Sequence, residues 1–223
     1  MKTKEKFLFG AGETAAMLLN YFQFDTSEEI SGVVIDDDVV EHRQFLNEIP
    51  ILRIREFLQI YSPKDAEILV ALAYSNMNML RKDKHDYFQS LGYDSFNYVS
   101  SRAFIDPKTS LGVGNIILEM NVVQYGVTLG DCNVLWSGNH IGHGTVIGDA
   151  NWITSHVVVS GKCVIGNNNF LGVNATINDR IELSNELVIP SHSKVSRDVL
   201  FSQSGHLLNV DGEVTKIKSK NIF

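Results

Sequence analysis

The stretch LWSGNHIGHGTVIGDANWITSHVVVSGKCVI, residues 135–165, decides the fold. Leu135, Ile141, Ile147, Ile153, Val159 and Ile165 stand six apart in it, with mostly small or turn-favouring residues between them. The same step runs back through Leu129, Val123, Ile117 and Leu111 to Ile105, and on through Leu171, Ile177, Leu183 and Ile189 to Val195. Neither the helical period of about 3.6 residues nor the strand period of about 2 sustains such a series. A hexapeptide repeat does, with three hexads to each coil of a triangular parallel β-helix. Every sixth aliphatic then points into the prism, and residue n lies beneath residue n+18.

The residues between the aliphatics set the corners. Asn115, Asn121, Asn133, Asn139, Asn151 and Asn169 come four after an aliphatic, and Gly112, Gly130, Gly142, Gly148, Gly166 and Gly172 follow one directly. Both groups are expected at corners where φ is positive. Trp136 and Trp152 flank inward aliphatics and are expected to project outward, with Trp136 a candidate to line an acceptor pocket.

Before residue 101 the pattern changes. KFLFGAG, EISGVVIDDD and EILVALA read as strands separated by helical stretches, which argues for βαβ units on a small parallel sheet. Gly10, Gly12 and Ala15 fit GxGxxG/A between strand and helix, with Glu13 opening the helix and Asp36 and Asp37 ending the next strand. Glycines of this kind let backbone N–H groups approach a phosphate, and a following acid meets a ribose hydroxyl. A tight structural turn explains the same glycines without a ligand. About 100 residues make only one mononucleotide-binding half, so a nucleotide-linked small molecule fits better than a dinucleotide. The expected organisation is a Rossmann-like α/β half domain over 1–100, an all-β parallel β-helix over 101–198, and a C-terminal cap or tail over 199–223.

Composition narrows the partners. The 223 residues are 44% hydrophobic and 20% charged, an ordinary globular balance, and the net charge of −7 argues against a general nucleic-acid or anionic-membrane surface. No apolar run approaches the roughly 18–20 residues of a membrane span and the N-terminus does not read as a signal peptide, so a cytoplasmic setting without membrane insertion is expected. The two cysteines, Cys132 and Cys163, lack the spacing of a disulfide framework or metal site and read as packing residues.

His140, His143 and His156 carry the candidate chemistry. Histidine is the side chain whose ordinary pKa lies closest to neutrality, which suits a general base. His143 lies eighteen residues before Gly161, one coil away, so the two fall on adjacent rungs of the same edge. His140 is a supporting candidate on an outward position, and His156 belongs to another side of the prism. Three histidines also raise a zinc site, but the chain lacks the closely spaced ligand pair of zinc β-helices, and no metal is expected.

FGAGETA with IDDD, then HIGHGTVIGD, then VVVSGKCVIGNNNFLGVNATI together resemble the left-handed β-helix acetyltransferases of the sialic acid O-acetyltransferase and bacillosamine-type nucleotide-sugar N-acetyltransferase family. The resemblance covers nearly the whole chain. It implies a left-handed β-helix, a homotrimer, and acetyl-CoA bound between subunits as co-substrate. It also implies a nucleotide-linked amino sugar near Gly10, Gly12, Glu13, Asp36 and Asp37, for surface polysaccharide or glycan synthesis. His143 falls on the general base and Gly161 on the glycine whose N–H binds the thioester oxygen, with direct transfer and no covalent intermediate. His156, Lys162 and Gly172 join Gly161 as candidate CoA contacts, with Lys194 and Arg197 as further candidate cations. O-acetylation of a sialic-acid-like sugar is the alternative reaction, and a non-catalytic nucleotide-sugar-binding trimer is a further alternative. Where several family members carry a Glu after the histidine, this chain has Gly144, so the group that orients the imidazole is unassigned.

Overall fold

The computed structural model describes residues 3–200 in full and 206–208 and 214–216 as backbone. By contact the chain divides into two units, one made of residues up to 73 together with 83–97 and the other of 74–82 with 98 onward. Among the described residues no helix is long and apolar enough to cross a membrane.

The first unit is built around β1 (Glu5–Phe9), β2 (Ile30–Ile35), β3 (Phe45–Leu46), β4 (Ile49–Arg53) and β5 (Ala66–Val70), ordered β3-β4-β2-β1-β5. All pairings are parallel except the β3–β4 hairpin. Helix α1 (Glu13–Asp25) follows β1 and buries Ala15, Leu18, Leu19 and Phe22, the i, i+3, i+4, i+7 stripe that an amphipathic helix turns toward a sheet. The α/β reading of the first half thus holds, with one antiparallel edge strand that the alternation of apolar runs did not announce. Phe7, Phe9, Phe57, Phe88 and Tyr93 interlock in its core, the Phe7 and Phe57 rings at 4.9 Å and edge to face.

The second unit is a three-faced parallel β-helix. Its first face stacks Phe104–Ile105, Val122–Val123, His140–Ile141, Val158–Val159, Thr176–Ile177 and Lys194–Val195. The second stacks Ser110–Leu111, Thr128–Leu129, Val146–Ile147, Val164–Ile165 and Glu182–Leu183, and the third runs from Tyr98–Val99 through Trp152–Ile153 to Leu187–Ile189. Partners are eighteen residues apart, as His140 over Val122 and under Val158. Ile117, Leu135, Ile153, Leu171 and Ile189 share the interior column with the other hexad aliphatics. Of the expected cap, His206–Leu208 extends the third face beside Leu187–Val188 and pairs antiparallel with Val214–Lys216. The remainder of 201–223 lies outside the described residues.

The corners correct the sequence reading. From Leu111 to Ile189 positive φ falls three residues after each aliphatic, at Gly114, Met120, Gly126, Cys132, Gly138, Gly144, Ala150, His156, Lys162 and onward, not at the asparagines four residues after an aliphatic or at the glycines that directly follow one. The asparagines are buried and form ladders inside the prism. Asn115, Asn133, Asn151 and Asn169 accept, through Oδ1, the backbone N–H of the residue eighteen on, at 2.7–2.9 Å. Each amide thereby satisfies a buried corner N–H that would otherwise have no partner. The post-aliphatic glycines are needed for close approach of coils: a Cβ on Gly142 would stand 2.5 Å from the Ser160 carbonyl carbon, and one on Gly172 would stand 2.4 Å from Ser191 N.

Trp152 projects outward as expected, but it is covered from within the same chain. It is only 2% exposed, because Tyr74 packs its ring 5.1 Å away and also meets Phe170 at 5.3 Å. Residues 74–82 thus lie along the third face. Arg81, fully buried, donates from Nε to the Cys132 carbonyl and from Nη2 to the Ala150 carbonyl, both at 3.1 Å, while Nη1 reaches Asn78 Oδ1. Burial lowers its pKa to about 10, so the guanidinium remains charged at neutral pH and its fork collects the carbonyls of successive coils.

Candidate active site

The edge between the first and second faces carries Tyr125, His143, Gly161 and Asp179 on consecutive coils. The positive-φ residues Gly144, Lys162 and Arg180 follow them and tie the coils together: Gly144 N–H donates to Tyr125 O, Lys162 N–H to His143 O at 2.8 Å and Arg180 N–H to Gly161 O at 3.0 Å. That ladder fixes the vertical spacing of the edge. His143 is further held by its own N–H, which donates to Gln124 Oε1 at 3.0 Å, and its ring is exposed.

The imidazole leans onto Gly161. A Cβ built on that glycine would stand 2.7 Å from His143 Cε1, 3.1 Å from Nδ1 and 3.1 Å from Asp179 Oδ1. Gly161 is itself buried, yet among the described residues its N–H has no hydrogen-bond acceptor. An unpaired buried backbone donor is uncommon, and here it lies beside an accessible imidazole. Gly142 keeps the donor clear, since a Cβ there would sit 2.6 Å from Gly161 N. The arrangement supplies a proton acceptor and an oxyanion donor on one edge.

The other expected residues distribute around this edge. Lys162 leans over Gly144, its Cγ 3.6 Å from where a Cβ on that glycine would be. His140 is half-buried on the first face, between Val122 and Val158. His156 and Gly172 lie on the opposite border of that face, with the His156 ring against Gly138, where a Cβ would meet Nδ1 at 2.6 Å. Trp136 is half-buried beside Trp152 at 5.9 Å, and its Nε1 is buried without a partner among the described residues. Lys194 and Arg197 lie exposed near the last coil. Cys163 points inward, donates to Asn178 O at 3.0 Å, and burial pushes its thiol up, which disfavours the thiolate a nucleophile needs.

Gly10 and Gly12, in the first unit, have different reasons to be glycine. Gly10 has φ +111°, and a Cβ there would strike Leu72 Cδ2 at 2.8 Å, so the fold requires it. Gly12 precedes α1 with no atom within 4 Å of its missing Cβ, which leaves its backbone open to approach. Glu13 places a carboxylate in the first helical turn, where it suits the helix dipole and opposes an anion. Asp36 accepts from Lys84 Nζ at 2.6 Å, and Asp37 lies 3.7 Å from Arg55. Sequence reasoning missed the cations here: Arg43 donates to the Ala11 carbonyl at 2.8 Å, and Arg53 gathers the Asp36 and Val39 carbonyls. Arg43 also holds the Glu41 carboxyl down at about 2 through their side-chain hydrogen bonds. Asp179 was missed too, although one further step of eighteen from Gly161 reaches it.

No protein-family model matches the sequence, and no curated protein matches it. Solved structures do. PerB from Caulobacter crescentus, in complex with CoA and GDP-perosamine, superposes with a TM-score of 0.82 at 17% identity over 96% of this chain and 98% of that one. The acetyltransferase domain of PglB from Neisseria gonorrhoeae FA1090, in complex with acetyl coenzyme A, gives 0.75 at 19% identity, covering 89% of this chain and 93% of that one. WeeI from Acinetobacter baumannii AYE gives 0.78 at 15% identity over 96% and 100%. Over nearly its whole length, therefore, the chain has the fold of hexapeptide-repeat sugar acetyltransferases of the bacillosamine type.

Proposed function

We propose that the chain is an acetyl-CoA-dependent N-acetyltransferase acting on a nucleotide-linked amino sugar in surface polysaccharide or glycan synthesis. The observation that carries the reading is the Gly161 N–H without an acceptor beside an exposed His143 imidazole. The CoA, acetyl-CoA and GDP-perosamine bound in structures of the same fold support both substrates.

In this reading His143 takes a proton from the acceptor amine as the amine nitrogen bonds to the thioester carbonyl carbon. The Gly161 N–H donates to the carbonyl oxygen as that oxygen gains charge. The carbon–sulfur bond then breaks, and the leaving CoA sulfur receives the proton that His143 holds. Transfer is direct, and the inward, poorly acidic Cys163 supports the absence of an acyl-cysteine step. The first unit binds the nucleotide at the open Gly12 backbone, with Arg43 and Lys84 the cations nearest the loop and Asp36. Homotrimer assembly belongs to the same reading, supported by the exposed Val122, Val158, Val146, Val164 and Tyr125 on and beside the His143 edge.

The test is thiol release from acetyl-CoA against UDP-, dTDP-, GDP- and CMP-linked amino sugars, with His143→Ala alongside. Release with one amino sugar and a loss of about 10²–10⁴ in the variant are expected. Release only with a hydroxyl acceptor such as a sialic-acid-like sugar would turn the reading to O-acetylation. Tight nucleotide-sugar binding with no release from any acceptor would turn it to a binding protein.

A further inference from the structure

We infer that Asp179 is the positioning residue for His143, standing in for the carboxylate that the chain lacks at Gly144. The inference rests on the reading of His143 as the base. Position 144 is not restricted to glycine by its backbone, since Lys162 and Arg180 adopt the same positive φ at equivalent corners. Its side chain is nonetheless absent, and no side chain among the described residues hydrogen-bonds the His143 ring.

The column supplies a replacement from two coils away. His143 reaches up and Asp179 reaches down, and they meet over Gly161: the Nδ1–Cε1 edge of the ring and Oδ1 of the carboxylate all lie within 3.1 Å of the point a Cβ on Gly161 would occupy. The other carboxylate oxygen, Oδ2, is held by Arg180 Nη1 at 2.5 Å, which leaves Oδ1 toward the ring. Lys162 is a further charged group at this edge, Arg197 stands eighteen residues beyond Asp179, and Tyr125 lies on the coil before with the buried Cys163 behind. A side-chain rotation that brings Nδ1–H onto Oδ1 leaves the free lone pair on Nε2. A carboxylate that fixes an imidazole tautomer in this way acts on orientation and not on the substrate.

The test reads the ring directly. Nitrogen chemical shifts of the neutral His143 imidazole, assigned by comparison with His143→Gln, report which nitrogen bears the proton. The native chain is expected to show Nδ1–H in excess, and the exposed, isosteric Asp179→Asn to shift the ring toward Nε2–H. In thiol release, Asp179→Asn is expected to lower kcat roughly tenfold to a hundredfold with little change in KM. That is less than the ~10⁴ of a fully buried orienting aspartate, because Asp179 is half-exposed. An unchanged tautomer signature in Asp179→Asn overturns the inference whatever kcat does. If the native chain releases no thiol from any acceptor, the proposed activity fails, while the tautomer comparison still decides the role of Asp179.

Discussion

Replacing Gly161 by alanine separates the chemistry of the edge from the stability of the prism. The φ of Gly161 lies outside the left-handed region, so alanine meets no backbone strain there. The nearest atoms to the new methyl are ends of side chains, His143 Cε1 at 2.7 Å and Asp179 Oδ1 at 3.1 Å, and both residues are exposed enough to swing into solvent. Restoring ordinary contact of about 3.5–4 Å requires the imidazole to retreat by roughly 1 Å. A displacement of that size at a reacting group costs about 10² in turnover. Stability should change by less than about 1 kcal/mol, under about 4 °C in Tm for a chain of this size. Gly142→Ala is the contrast, because its Cβ would meet the Ser160 carbonyl carbon at 2.5 Å and Gly161 N at 2.6 Å. These are backbone atoms of the next coil and cannot step aside, so overpacking of about 1–3 kcal/mol and a Tm lower by several degrees are expected. Thiol release and thermal unfolding of both variants are the assay. A Gly161→Ala protein that turns over like the parent, or a Gly142→Ala protein as stable as the parent, would refute the reasoning.

Arg81→Leu strands the Cys132 and Ala150 carbonyls in a buried site and should cost about 3–5 kcal/mol in denaturant unfolding; a loss below about 1 kcal/mol would show that those carbonyls find other partners. Asn151→Ala removes the acceptor of the Asn169 N–H and should cost about 1–3 kcal/mol, with no change in substrate KM for the molecules that remain folded. Gly12→Ala should leave Tm unchanged while weakening nucleotide-sugar binding in calorimetry, whereas Gly10→Ala, at φ +111° against Leu72, should lower Tm. Equal stability of those two variants would count against the distinction between a required glycine and an open one.

Much of the candidate edge was legible because the repeat is one-dimensional. Eighteen residues to the coil is arithmetic on the sequence, and it brings His143 under Gly161 without knowledge of any side-chain conformation. Asp179 was equally within reach of that arithmetic, but it stands two coils from His143 and belongs to no motif around the histidine. The first unit was legible less far: the GxGxxA turn and the acids at 36 and 37 were visible, but the ion pairs that engage Asp36 and Asp37 come from Lys84 and Arg55, on other elements.

The sequence by itself determined the prism, its inward aliphatics and the vertical neighbours along each edge, since all of these follow from a period that any three consecutive coils repeat. Tertiary structure alone decided what the small residues do, which corner residue takes positive φ, and that Tyr74 and Arg81 lie on the third face. The physical reason is range. An asparagine that turns inward to pair an N–H eighteen residues away, or an arginine that collects carbonyls 51 and 69 residues away, is chosen by a partner and not by a local pattern. Periodicity specifies which residues share an edge; only the packed coils specify which of their polar atoms are left unpaired, as Gly161 N–H is.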